Sequence, residues 1–573
     1  MTAPPSAFKE KGGRFSGLAA SHRLVPAFLI LLLAGITFLA YSNSLDGGFV
    51  YDDVQVYSNP NIRLQTLTPE AIIRATHGWQ VKNRPIAYLT FALNYYFGGM
   101  ETFGYHLVNI LIHIASGLVI FLIFRVTLRL VRQGREDHGL LLPWFAALLW
   151  LVHPLNSQAV SYIVQRMASL AAFFYLAAFL AWLIGRTAEK KRAWFFLSAL
   201  VLWGLALGSK ENAVTLPLAI LAYEWIFFRE GRVAWFKTVV PWIAAGMLVI
   251  LAMGFILTDF HPWAKVVGGF DSRPFTMWQR LITESRVLVF YLSLFVWPHP
   301  SRLNLEHHFT VSTSLLHPPT TLLAVFFLAL LAGGAIFGRR RYPLVAFAVL
   351  WFFIVHLIES TIFPLDLVYE HRNYLALVFP CLALSRFAAE RIRPFALKCA
   401  VALAVVLIFS VFVHQRNLVW HDRISLWQDC VAKSPRRLRP RYDLAWNLQL
   451  RGRLDEAVYH YLVAIDIDPS YIRSYNNLGL LLLDKGFPDD AILVLKDGIR
   501  RAPDYGLIHV SLGRAYMMQG DLPAAGKEFS HALRLDPENK SARANMRAWR
   551  RAVAASAAGG AESVDKSFDN LLY

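Results

Sequence analysis

The sequence is short of cysteine and short of acid. Three cysteines, Cys381, Cys399 and Cys430, are scattered through 573 residues. They offer no disulfide framework and no C-x-x-C metal or redox site. Acidic residues number 39 against 57 basic ones, a formal charge of +18. In a soluble chain that excess would point to nucleic acid, but here 56% of residues are hydrophobic and the mean hydropathy is +0.41, well above an ordinary soluble protein. In a polytopic membrane protein a basic excess marks cytoplasmic loops, so the charge is read as topology and nucleic acid is set aside. A cleavable leader is also missing from this reading. Residues 1–22 are polar and basic, yet the run LVPAFLILLLAGITFLAYS that follows is too long for a signal-peptide core and carries no convincing small-x-small site. It reads as a retained first helix behind a cytoplasmic tail.

What is present is an all-α pattern. Apolar segments lie near 24–41, 105–124, 140–152, 168–185, 193–208, 213–228, 238–258, 282–297, 321–337, 343–363, 371–388 and 398–414. Several are short against the ~20 residues of a full span. With the N-terminus in the cytoplasm, the basic loops 125–136, 185–192 and 227–237 all fall inside, as the positive-inside rule requires. If segment 282–297 also crosses, Arg339, Arg340, Arg341, Arg386, Arg391, Arg393 and Lys398 land outside. If it re-enters or lies along the interface, those seven stay inside and only Arg302 and Arg372 compete. The balance favours about eleven crossings plus one re-entrant or interfacial helix, whose Glu284 and Arg286 suit a surface position. Trp144, Trp150 and Trp203 read as interface anchors, and His106 and His113 as core histidines.

From about residue 415 the composition turns soluble and the chain repeats. Pro435, Pro469, Pro503 and Pro537 recur every 34 residues, and Gly452, Gly486 and Gly520 keep the same period. A 34-residue period with closing prolines is the signature of tetratricopeptide repeats, each an antiparallel helix pair. The domain order is then a tail at 1–22, a transmembrane domain at 23–414 with an outer loop at 42–104, a linker at 415–437, repeats at 438–553 on the outer side, and a disordered tail at 554–573.

Ionisable groups at a membrane edge are costly and are functional by default. Under this topology one outer face collects Asp52 and Asp53, then Arg84, His153, Arg166, Lys210, Glu211, Glu370, His371 and Arg372, from segments far apart in sequence. A carboxylate among cations at this height suits a lipid-phosphate donor: cations bind the phosphate and the acid deprotonates a nucleophile. Plainer uses stand beside this one. The acid pair could form a turn or cap, Lys210 and Glu211 an internal ion pair, His153 a helix cap, and Arg372 a pair with Glu370. The acids could also ligate a divalent metal, although a phosphate leaving group needs no protonation and the reading leans against a required metal.

The ordered set FVYDD, NRPIAYLTFALNY, HPLNSQAVSYIVQR, SKENAVTLPL and YEHRNYLAL, followed by the repeats, resembles the GT-C superfamily of polytopic glycosyltransferases. It is most similar to the transmembrane and tetratricopeptide-repeat O-mannosyltransferases and their bacterial relatives. The resemblance implies a GT-C transmembrane core, a polyprenyl-phosphate-linked sugar donor and a Ser or Thr hydroxyl acceptor on a protein. It also implies inversion at the anomeric carbon, with Asp52 or Asp53 as general base. Arg372 and Arg166 lead as phosphate contacts, Lys210 and His153 assist, and Arg84, Glu211, Glu370 and His371 support. The protein would lie in the cytoplasmic membrane with its repeats on the periplasmic or extracytoplasmic side, where they would engage the acceptor. Two other readings stand: a membrane scaffold whose repeats recruit an envelope complex, and a GT-C enzyme with a lipid or glycan acceptor.

Overall fold

The computed structural model describes residues 16–77, 84–132, 139–188, 190–228 and 261–557, with single positions between 241 and 248. Among the described residues every regular element is helical. The chain divides into two units, one of residues up to Leu305 with Phe309–Asp422, the other of Glu306–His308 with the chain from Arg423 onward.

In the first unit five helices are long and apolar enough to cross a membrane: Val25–Ser44, Thr102–Val131, Ile163–Thr187, Thr320–Gly338 and Phe395–Val419. Leu141–Leu151, Arg192–Leu207 and Pro343–His356 are shorter apolar helices. The expected segment 238–258 lies largely outside the described residues. Ile163–Thr187 is mostly buried, whereas Val25–Ser44, Thr320–Gly338 and Phe395–Val419 turn most of their apolar residues outward, as at Leu323, 65% exposed, and Phe337, 85% exposed. Such faces suit lipid. The interior is an aromatic knot, with Phe379 against Phe347 at 4.5 Å and Trp351 at 4.8 Å between ring centroids.

Three expectations need correction. Trp150 is fully buried, not an interface anchor, and its indole N–H donates to the Tyr374 carbonyl at 2.9 Å. Trp351 does the same for Leu375 at 2.8 Å, so two core tryptophans hold the turn that carries Arg372. The segment expected at 282–297 begins at Met277, where Thr276 and Gln279 form a capping box. Glu284 therefore lies two turns inside the helix and is buried, not on a surface first turn. The expected linker is largely helical: Phe395–Val419 runs into it, and Arg423–Lys433 is a helix of the second unit. His106 and His113 are core histidines, bonded to the carbonyls of Gly47 and Leu151.

The second unit contains three helix pairs, Leu438–Leu450 with Leu454–Ile467, Ile472–Asp484 with Pro488–Arg501, and Gly506–Gln519 with Leu522–Leu535, closed by Lys540–Ala557. The periodic glycines have one physical cause. Gly452, Gly486 and Gly520 end the first helix of each pair at φ of +74°, +81° and +87°, a conformation that side chains resist. Other glycines are there for contact: a Cβ on Gly498 would fall 2.4 Å from Ile508 Cδ1. Within this unit Glu306 sits between Arg437 and Arg439, each at 3.0 Å.

Replacing Gly486 by Ala is expected to destabilise the repeats by about 1–2 kcal/mol, the cost of the left-handed conformation. The check is limited proteolysis of the full chain across a denaturant series, with earlier cleavage in the repeats than in wild type.

Candidate active site

The acid pair is built at a strained turn. Tyr51 adopts φ of +35°, rare for a residue with a side chain and a feature that gathers at functional sites. The two acids after it are not equivalent. Asp53 is fully buried and accepts two backbone N–H bonds, from Val50 to Oδ2 at 2.8 Å and from Val164 to Oδ1 at 2.7 Å. It staples the outer loop to the segment before Arg166. Asp52 is half-buried, and its backbone N–H donates to the Tyr162 hydroxyl at 2.7 Å. Tyr162 is stacked on Trp420 at 4.9 Å. One acid is a latch, and its neighbour is carried to a partly open edge by that latch.

The cations divide in the same way. Arg166 is fully buried and donates to Asn109 Oδ1, Asn94 Oδ1, the Thr90 carbonyl and the Tyr105 carbonyl. Its guanidinium lies 4.6 Å from the Phe91 ring centroid. It ties the helices Pro85–Gly98 and Thr102–Arg132 to the start of its own helix. His153 is spent on local geometry: Nδ1 accepts from the Leu155 N–H at 3.3 Å, and Nε2 meets the Phe295 carbonyl at 3.1 Å. Glu370 accepts from the Asn304 N–H and lies 3.8 Å from Arg416, so it is not the partner of Arg372.

The remaining residues form one connected group. Arg84 and Glu211 make a bidentate pair at 3.3 and 3.1 Å, and Arg84 also reaches Met167 Sδ at 3.2 Å. Lys210 does not pair with its neighbour Glu211. Its Nζ is 2.6 Å from Glu359 Oε1, and Asn212 donates to the other oxygen at 3.3 Å. Glu359 is buried, so its carboxylate is met by this pair and not by solvent. Arg372 donates to the carbonyls of Leu367 at 2.8 Å and Asp366 at 2.6 Å. It lies 3.9 Å from Glu284, which Arg280 approaches to 2.8 Å.

His371 and Arg372 line a cavity of about 10 Å³, the size of one water. Ala168, Ala171, Asn212 and Tyr374 are among the other residues of the wall. His371 is buried with no hydrogen-bond partner at Nδ1, while its backbone N–H donates to Gln158 Oε1 at 2.8 Å. Among the described residues no three His, Cys, Asp or Glu side chains gather in a metal-binding arrangement.

Against this geometry the comparisons with known proteins can be set. Two repeat models match the second unit, one described as TPR repeat over residues 450–486 and one as Tetratricopeptide repeat over residues 476–540. Protein O-mannosyl-transferase TMTC1 of Homo sapiens is 26% identical over 80% of this chain and 57% of its own length. Protein O-mannosyl-transferase F38B6.6 of Caenorhabditis elegans is 23% identical over 77% of this chain and 63% of its own. The chain is similar to the protein O-mannosyl-transferases. It spans less than two thirds of the length of these curated relatives. A third relative, the human TMTC4 enzyme, reaches 32% identity over a shorter stretch, 34% of this chain and 29% of its own length.

Sequence reasoning missed Glu359, Glu284, Arg280 and Asn212. Asn212 lies in the quoted stretch SKENAVTLPL, and Arg280 and Glu284 are a local i,i+4 pair. But Glu359 answers to Lys210 149 residues away and Glu284 also to Arg372 on a distant segment, which no local pattern marks.

Asp53→Asn is expected to destabilise the outer loop by roughly 1–3 kcal/mol, because an amide offers only one acceptor to two buried backbone N–H donors. Asp52→Asn is expected to leave stability unchanged. Thermal unfolding of the two variants in detergent separates them.

Proposed function

We propose that this protein is an inverting glycosyltransferase that moves one sugar from a polyprenyl-phosphate-linked donor to a Ser or Thr hydroxyl of a protein. The observation that carries the reading is the pairing of a half-buried acid, Asp52, on a strained and latched turn with a buried cation group on the same unit. Similarity to the protein O-mannosyl-transferases supports the reaction class.

The buried cations Lys210 and Arg372 lie beside the acids Glu359 and Glu284. A donor phosphate adds negative charge next to those acids, which favours a singly charged sugar phosphodiester over a diphosphate.

In the proposed step Asp52 accepts the proton of the acceptor hydroxyl as its oxygen attacks the anomeric carbon. The bond from that carbon to the phosphate oxygen breaks on the opposite face, and its electron pair leaves with the polyprenyl phosphate. Arg372 and Lys210 stabilise the charge that grows there. Asp53 keeps the turn in shape, and Arg166 and His153 hold the elements around it, so their parts in the reaction are indirect. No metal is required for this balance. The protein would lie in the cytoplasmic membrane, N-terminus inside, with the repeats outside, where a superhelix of helix pairs is suited to holding an extended segment of the acceptor.

Intact-mass analysis of envelope proteins in a deletion strain tests the reaction. Complementation with wild type should restore a hexose-sized mass on at least one secreted protein. Asp52→Asn should restore little of it, with transfer lowered about 10²–10⁴-fold as for loss of a general base. Masses unchanged by the deletion would favour the scaffold reading instead.

A further inference from the structure

Glu284 is a buried acid that the proposed steps do not use. Glu284 is 1% exposed in the Met277–Val296 helix. Arg280, one turn earlier, reaches its Oε1 at 2.8 Å, and Arg372 lies 3.9 Å from the same oxygen. Each arginine is also committed to backbone. Arg280 donates to the carbonyls of Glu359 at 2.7 Å and Leu365 at 3.0 Å, and to that of Thr361. Arg372 holds those of Asp366 and Leu367. Two turns further along the same face, the Tyr291 hydroxyl donates to the Tyr369 carbonyl at 3.0 Å and accepts from its N–H at 2.9 Å.

One helix face therefore organises the chain from Glu359 to Arg372. Two guanidinium groups this close and this buried would repel and part without an acid between them. Arg280 bonds the backbone of Glu359, and the Glu359 carboxylate in turn holds Lys210. The one acid thus stands behind both cations assigned to the donor phosphate.

We propose that Glu284 is a positioning residue for phosphate recognition: its charge lets the Arg280 and Arg372 guanidinium groups lie close together and so keeps Arg372 and, through Arg280 and the backbone of Glu359, Lys210 in place. The proposal rests on the reading of Arg372 and Lys210 as phosphate contacts. Glu284 itself touches no substrate. Its influence is electrostatic, so it bears on the charged end of the donor and not on the lipid tail.

The test uses the full chain in detergent and two probes, a short polyprenyl monophosphate and the matching polyprenyl alcohol. Wild type should prefer the monophosphate. Glu284→Gln should weaken monophosphate binding on the order of ten-fold, the usual scale for losing a group that orients a ligand contact, and leave alcohol binding unchanged. Unchanged monophosphate binding overturns the proposal, and so does an equal loss for both probes, which would mark Glu284 as packing alone. If the glutamine variant does not fold, Glu284→Asp decides, since it keeps the charge on a shorter arm. A loss confined to the monophosphate supports the proposal, and a loss of both or of neither overturns it. Wild type without any monophosphate preference would sink the donor-site reading as well, so the two failures are told apart.

Discussion

Irregular backbone at the mouth of a helical membrane unit has carbonyls that no helix satisfies, and arginine side chains close on them. Arg280 takes three and Arg372 two. Non-helical backbone at membrane depth persists only where its polar groups are met inside the protein. The planar guanidinium suits this because it offers several donors in one fork and stays charged when buried. The arrangement brings positive charge with it, and that charge has to be balanced. Glu284, Glu359 and Glu211 do so for Arg280, Lys210 and Arg84.

The groups that keep these loops folded also place buried cations, Lys210 and Arg372, on the unit that carries Asp52, which sits on a turn that Asp53 and Tyr162 hold. Removing one partner from such a set costs more than the pair gains.

Much of this was legible in the sequence because periodicity is local. The apolar runs marked the helices, and the 34-residue spacing marked the repeats down to the glycines that need positive φ. The division of the acids into a buried latch and a half-buried neighbour, and of the cations into a clamp and ion-pair partners, was not local. Asp52 and Asp53 are identical in sequence and differ only in which amides reach them, and those amides come from Val50 and from Val164, 111 positions from Asp53. Lys210 stands next to Glu211 yet pairs with Glu359, 149 residues on. Glu284 read as a surface residue because the helix start was placed at 282, where the capping box sets it at Met277. Trp150 read as an interface anchor because its carbonyl partner at Tyr374 is 224 residues away.

The central claim is that Arg372 and Lys210 receive the donor phosphate beside Asp52. Structure determination of the full chain with a bound polyprenyl monophosphate tests it most directly. The account predicts phosphate density within hydrogen-bond reach of Arg372 or Lys210, with the lipid leading away between the helices. Phosphate found elsewhere, for example on Arg339, Arg340 and Arg341, with the Lys210–Glu359 and Arg372–Glu284 contacts unchanged, would contradict it.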